Sequence, residues 1–223
     1  MASIDTAEPT GPKSTQQHAL DGLRRAIVSG ELRPGQRVAQ EDVAERLGVS
    51  IAPVREALRV LEQEGQVTYR PRRGYIVTEL NVADVEEIYE LRRMLEERAV
   101  RHALPTLGAS ALERLTRAAK DCEVAAEAGD VAAELEANRR LHFVLFEAPD
   151  QVHALRLIRL LWDSTEAYRA MYYNAPEERR HAGRSHGRIL AAARRGDADR
   201  LVAELDAHRE RALQVLRGIL TPA

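Results

Sequence analysis

From Ser14 onward apolar residues recur at helical spacing. Leu20, Leu23 and Ile27 share one face up to Ser29-Gly30, and Arg33-Pro34-Gly35 then interrupts the pattern. Val43, Ala44 and Leu47 lie on one side of a short second helix over 41–47, which Gly48 closes. Ser50 offers an N-cap, Pro53 is tolerated in a first turn, and Val54, Leu58 and Leu61 form the inward face of a third helix reaching Gly65. Two short β-prone runs follow, Val67-Thr68-Tyr69 and Tyr75-Ile76-Val77. The residues between them, Arg70-Pro71-Arg72-Arg73-Gly74, predict a hairpin with a basic tip.

Beyond Leu80 the strand-like patterning stops, and the rest of the chain predicts helices over 82–104, 109–128, 130–147, 151–174, 177–195 and 197–219. Their connections are short, so they pack as an antiparallel bundle of six or seven helices. The expected organisation is mainly α. A mobile tail covers 1–13, and a winged helix-turn-helix of three helices and a two-stranded wing covers 14–78. A linker over 79–81 leads to an all-helical domain over 82–223.

Composition narrows the class. A chain of 223 residues with 44% apolar and 30% charged residues is globular. Its apolar stretches fall far short of the roughly 18 residues a membrane span requires. The first residues have neither a basic start nor an apolar core, so no signal peptide is expected and the protein should stay in the cytoplasm. Cys122 is the single cysteine; in its Ala-rich helical setting it reads as a small buried filler. A net charge of −2 gives no overall field toward nucleic acid, so any DNA contact must be local.

The local chemistry for such a contact is present. Ser50 and the amides that follow it can hold a phosphate, while Arg55 and Arg59, one turn apart, can reach base edges or phosphates. Arg70, Arg72 and Arg73 gather three charges on a turn where Gly74 permits close backbone approach. Each arginine alone reads equally well as solvated surface; the helical pattern around them favours a DNA reader. The stretch from Leu32-Arg33-Pro34-Gly35 through Glu41 to Gly65, continued by Pro71, Arg73-Gly74 and Val77, resembles the DNA-binding domain of the GntR family of bacterial transcription regulators. Members usually carry Arg-Thr after the serine, whereas this chain has Ile51-Ala52. The resemblance therefore implies a contact at Ala52 without the arginine, with Arg55 and the wing carrying more of the reading.

In the helical half, three histidines replace apolar residues on inward stripes. Asn138 and His142 share the face of Val131, Leu135 and Leu145; His186 precedes Ile189, Leu190 and Ala193; His208 lies with Leu201, Leu205, Ala212, Val215 and Ile219. A lone inward histidine is ordinarily core. Three on three helices of one bundle, beside an amide, point to convergence on one divalent ion, with Zn and Ni the first candidates. Arg92 falls on the stripe Val85, Ile88, Leu95, Ala99 and needs a partner, either a bound carboxylate or a buried ion pair with a neighbour.

This half is similar to the FCD ligand-binding domain of the FadR-type branch of the same family, on Glu90 to Glu96, Asn138 to His142, Ser185 to Asp197, and His208. The resemblance implies a metal held by the residue four before a histidine plus two later histidines, with Asn138 here in place of the usual Asp. It implies a homodimeric regulator, expected to be a repressor, of a roughly palindromic DNA operator, controlled by a small carboxylate effector at the metal and Arg92. Two other readings stand beside it: a metal-dependent enzyme, or a DNA-binding dimer with a purely structural metal. Neither a His-Glu-x-x-His motif nor a carboxylate flanking the histidines on these stripes supports the enzyme.

Overall fold

The computed structural model describes residues 14–148 and 150–221. The tail expected over 1–13 lies outside them. The chain begins with α1 (Thr15–Val28), α2 (Gln40–Leu47) and α3 (Ile51–Gln63), followed by the hairpin β1 (Val67–Arg70) and β2 (Gly74–Val77). The strands pair antiparallel in the register Val67↔Val77 to Arg70↔Gly74. Leu20, Leu23 and Ile27 of α1, Val54, Leu58 and Leu61 of α3, and Val67 and Val77 of the wing form one apolar core. This is the winged arrangement the pattern predicts.

The second half runs α4 (Val82–Ala103), a 3₁₀ turn (Leu104–Thr106), α5 (Ala109–Ala128), α6 (Val131–Phe146), α7 (Val152–Ser164), α8 (Glu166–Tyr173), α9 (Pro176–Arg195) and α10 (Ala198–Leu220). Local chemistry sets these boundaries. A capping box between Asn81 and Asp84 starts α4, Asp130 and Asp197 cap α6 and α10, and Gly129 and Gly196 end α5 and α9 in the left-handed conformation. Among the described residues no helix is long and apolar enough to cross a membrane.

Three expectations need correction. The helix expected over 151–174 is two, α7 and α8, because Thr165 breaks it: its hydroxyl donates back to the carbonyls of Leu161 and Trp162, both at 3.2 Å, and Arg169 donates to the Trp162 carbonyl at 3.1 Å. On α4 the buried stripe is Val85, Tyr89, Arg92, Glu96 and Ala99, one step round from the expected one, so Ile88 and Leu95 are only half-buried. Ile219, expected inward on α10, is exposed. Leu213 and Leu216 take the inward positions near that end.

The two halves meet through α8. Ala167 packs against both the winged core and the bundle, Val28 of α1 belongs to a bundle cluster, and the Tyr168 hydroxyl accepts a hydrogen bond from the Leu80 amide at 2.7 Å. Gly65, at φ 73°, lets the end of α3 approach Ser164, which would lie 3.2 Å from an added Cβ. Tyr168→Phe removes the acceptor for a half-buried amide at the junction. It should cost about 1–2 kcal/mol in urea unfolding. An unchanged midpoint would show that the bond carries no weight.

Candidate functional site

α3 presents its polar face outward. Val54, Ala57, Leu58 and Leu61 are buried, leaving Ile51, Ala52, Arg55 and Arg59 exposed. Arg59 bonds to Glu56 at 2.7 Å. Ser50 begins the helix without a side-chain cap bond, because the third helical residue is Pro53, which has no N–H to donate. Its hydroxyl is exposed. At the wing tip Arg70, Arg72 and Arg73 are all exposed. Arg72 holds φ 66° and Gly74 φ 79°, so the turn keeps an arginine where glycine would sit without strain. The pattern missed Arg37. It forms a bridge with Ile76, and its Nε lies 4.0 Å from where a Gly74 Cβ would stand, adding a guanidinium at the wing base.

Inside the bundle the structure brings His142 of α6, His186 of α9 and His208 of α10 together. One ring nitrogen from each lies within 4.8 Å of the others, and the ring centroids stand 5.0–5.8 Å apart. Both ring nitrogens of His142 and His186, Nδ1 of His208 and Oδ1 of Asn138 are buried with no hydrogen-bond partner among the described residues. Burial first, and the neighbouring His186 and Arg92 next, push the His142 pKa well below the usual range. Burial lowers His186 to about 4, and burial with His186 and His142 lowers His208. Neutral imidazoles with unspent lone pairs are the donor set a divalent ion requires, so these residues fit a metal.

Beside them is a cluster of charge that the stripes revealed only in part. Glu96, 1% exposed, accepts from Arg92 Nε at 2.8 Å, from Trp162 Nε1 at 2.7 Å and from Arg209 Nη2 at 3.0 Å. Burial alone would raise its pKa, but Arg92 and Arg209 hold it below the ordinary carboxylate value. The two readings left open for Arg92 thus meet an in-chain partner. Arg169 lies in the same chamber, its Nε and Nη1 buried and unpartnered, and both Arg92 and Arg169 lie over the Trp162 ring, at 4.3 and 4.4 Å. Burial pushes the Arg169 pKa down against the weak pull of Glu166, 3.8 Å away. The cavity between these side chains is about 30 Å³. Tyr89 and Arg209 also line an outer groove between α4 and α10.

Sequence reasoning missed Glu96, Arg169, Arg209 and Glu134. Glu96 is four residues after Arg92, a spacing that could have flagged an ion pair on the buried face. Cys122 is buried as expected, its thiol pushed up to about 12 by burial, which leaves it inert.

The sequence matches the FCD domain over residues 87–211 and the description "Bacterial regulatory proteins, gntR family" over residues 15–77. It is 27% identical over 199 residues to the uncharacterized HTH-type transcriptional regulator YdhC of Bacillus subtilis, covering 89% of each chain. It is 26% identical over 211 residues to the HTH-type transcriptional repressor RspR of Escherichia coli, covering 95% of this chain and 92% of that one. Its fold superposes on that of Escherichia coli McbR/YncC with a TM-score of 0.81 and 25% identity, over 94% of this chain and 100% of the other. The named relatives are transcriptional regulators rather than enzymes.

Glu134, one turn before Asn138, is buried with Oε2 unpartnered, and burial raises its pKa to about 7. The fold favours its protonated form, so that contribution to stability is present below 4.5 and is lost as pH rises through 7. In chelator, Glu134→Gln should therefore stabilise the chain by about 2–3 kcal/mol at pH 8 and by almost nothing at pH 4.5. A pH-independent difference in denaturant unfolding would contradict this account.

Proposed function

The chain belongs to the GntR family of bacterial regulators and carries an FCD domain, and on that premise we propose a homodimeric repressor controlled by a small carboxylate and a divalent metal. Residues 14–78 read DNA, 79–81 link, and 82–223 bind effector and partner. The observation that carries this reading is the unspent donor capacity of Arg169: of the three buried guanidinium groups, Arg92 and Arg209 bond to Glu96, and Arg209 also to Asp206, whereas Arg169 has only Glu166 at 3.8 Å and keeps Nε and Nη1 buried without an acceptor. An anionic ligand is the partner that Arg169 lacks.

His142, His186 and His208 would hold the ion, with the Asn138 carbonyl oxygen as a further donor; some FCD domains bind metal ions. Zn or Ni suits such a set. When bound, the metal supplies a Lewis-acid site for a carboxylate oxygen. With four neutral ligands it keeps its full positive charge, which adds to the call for an anion. A cavity of about 30 Å³ has room for about one water molecule and none for an organic acid, so admitting effector moves a wall.

The movable wall is α8. Its Arg169, Tyr172 and Tyr173 line the cavity while its Ala167 and Tyr168 seat the winged half and the linker. Effector entry would shift this helix and with it the two winged domains on a roughly palindromic operator. On DNA, α3 would enter the major groove with Arg55 and Arg59 toward bases or phosphates, with Ala52 at the groove wall and Ser50 on a phosphate. Arg70, Arg72 and Arg73 of the wing, with Gly74 admitting close approach, would hold the flanking backbone. The named repressor RspR supports the sense of regulation.

The test is operator binding by fluorescence anisotropy with metal-loaded protein, chelated protein and His186→Ala, each with and without a panel of small carboxylates. The expected result is about one ion per wild-type chain by mass spectrometry. At least one acid should then weaken operator binding by about 5–150-fold in loaded wild type only. Metal without any response to acids would make the ion structural. No metal in wild type would leave the histidines as pocket or core residues.

A further inference from the structure

The outward face of α3 carries an aliphatic side chain among its charges. Within the described part of the winged half, Ile51 and Tyr69 are the large apolar residues left exposed, at 37% and 51%. Tyr69 rests edge-on against Tyr75, their ring centroids 5.2 Å apart. Ile51 opens the helix and belongs to none of the apolar clusters among the described residues. Its β-branched chain is a weaker helix former than alanine or a straight-chain residue, so local structure gives no reason for it there. A lone exposed isoleucine is ordinary surface in most places. The position is what sets this one apart.

Ile51, Arg55 and Arg59 follow one another at i, i+4 and i+8 along the exposed stripe, with Ala52 beside them. Glu56, the acid on this stretch, is held by Arg59 at 2.7 Å, and the first turn of α3 contains no acid. The leading turn of the face proposed to enter the major groove therefore offers a branched hydrocarbon followed by the exposed Arg55 guanidinium. A hydrocarbon donates and accepts nothing, and pressed against polar base edges it would strip their water without replacing it. Of the groups that base pairs display in the major groove, the C5-methyl of thymine is the apolar one. One helical turn rises about 5.4 Å and stacked bases about 3.4 Å, so a methyl met by Ile51 lies about one or two base pairs from the position Arg55 reaches.

We propose that Ile51 is a specificity-determining residue that packs on a thymine methyl group in each operator half-site, beside the Arg55 contact. This rests on the DNA-reading role given to α3 above and names a base that α3 prefers. Ile51 acts on the choice among sequences, while general attraction to the phosphate backbone stays with the arginines of the helix and the wing.

Operator sequences are first selected from a random duplex library by the full-length wild type. Each thymine of the enriched site is then replaced in turn by deoxyuridine, which keeps the pairing and lacks the methyl group. Binding is read by fluorescence anisotropy for wild type and Ile51→Ala, with circular dichroism confirming the helical content of the variant. At one thymine per half-site the replacement should weaken wild-type binding about fourfold, the worth of one buried methyl-sized group, and about fifteenfold when made in both half-sites. The same replacements should leave Ile51→Ala binding unchanged, because its contact is already gone. A site in which no thymine methyl matters, or one whose loss weakens both proteins alike, would overturn the Ile51 contact and leave the DNA-reading role standing. Failure of the wild type to enrich any sequence would overturn that role, and the contact with it.

Discussion

A buried carboxylate is costly unless its lone pairs are filled, and Glu96 is held deep in the bundle by three donors from three helices. Arg92 reaches it along α4, Trp162 from α7 and Arg209 from α10. The arrangement fixes the crossing of those helices and positions the Trp162 ring under two guanidinium groups. Glu96 and Asp206 satisfy Arg92 and Arg209, while Arg169, with Glu166 no nearer than 3.8 Å, keeps Nε and Nη1 buried and unpartnered among the described residues. The three neutral histidines nearby add donors for a metal but no negative charge. The ion pairs that hold the bundle together and the unspent donors proposed to take an anion thus lie in one chamber.

The same economy appears at α8. Arg169 ends α7 by bonding to the Trp162 carbonyl, so the break that creates this short helix is built by a residue of the pocket. Eight residues then face both ways, toward the cavity and toward Leu80 and the winged core. A short helix with functions at both ends is a natural carrier of coupling between sites, because displacing it changes both sets of contacts together.

Much of this was legible in the sequence because the signals were local. Gly48, Gly129 and Gly196 end helices as their positions foretell, Asp130 and Asp197 begin them, and the Arg70–Gly74 segment makes the turn its residues suggest. Helical periodicity was enough to place Asn138, His142 and His186 inward, and to bring His208 to the same chamber. What stayed hidden depends on contacts between distant segments. Glu96 and Arg209 look like surface charges until α4 and α10 are seen to cross, and the α4 stripe shifted by one step because Tyr89 and Glu96, polar at the tip, displaced Ile88 and Leu95 from the interior. Thr165 carries no strong breaking signal; its effect needs Arg169 to take the freed carbonyl.

The central claim is that the buried, unpartnered donors of Arg169 are met by a bound acid. Calorimetric titration of the metal-loaded protein with small carboxylates tests it, with wild type beside Arg169→Gln, which keeps a donor for the Trp162 carbonyl and removes the charge. The account predicts one acid per wild-type chain and an affinity about tenfold or more weaker in the variant. Equal affinity in the two proteins, or no heat from wild type with any acid, would contradict it.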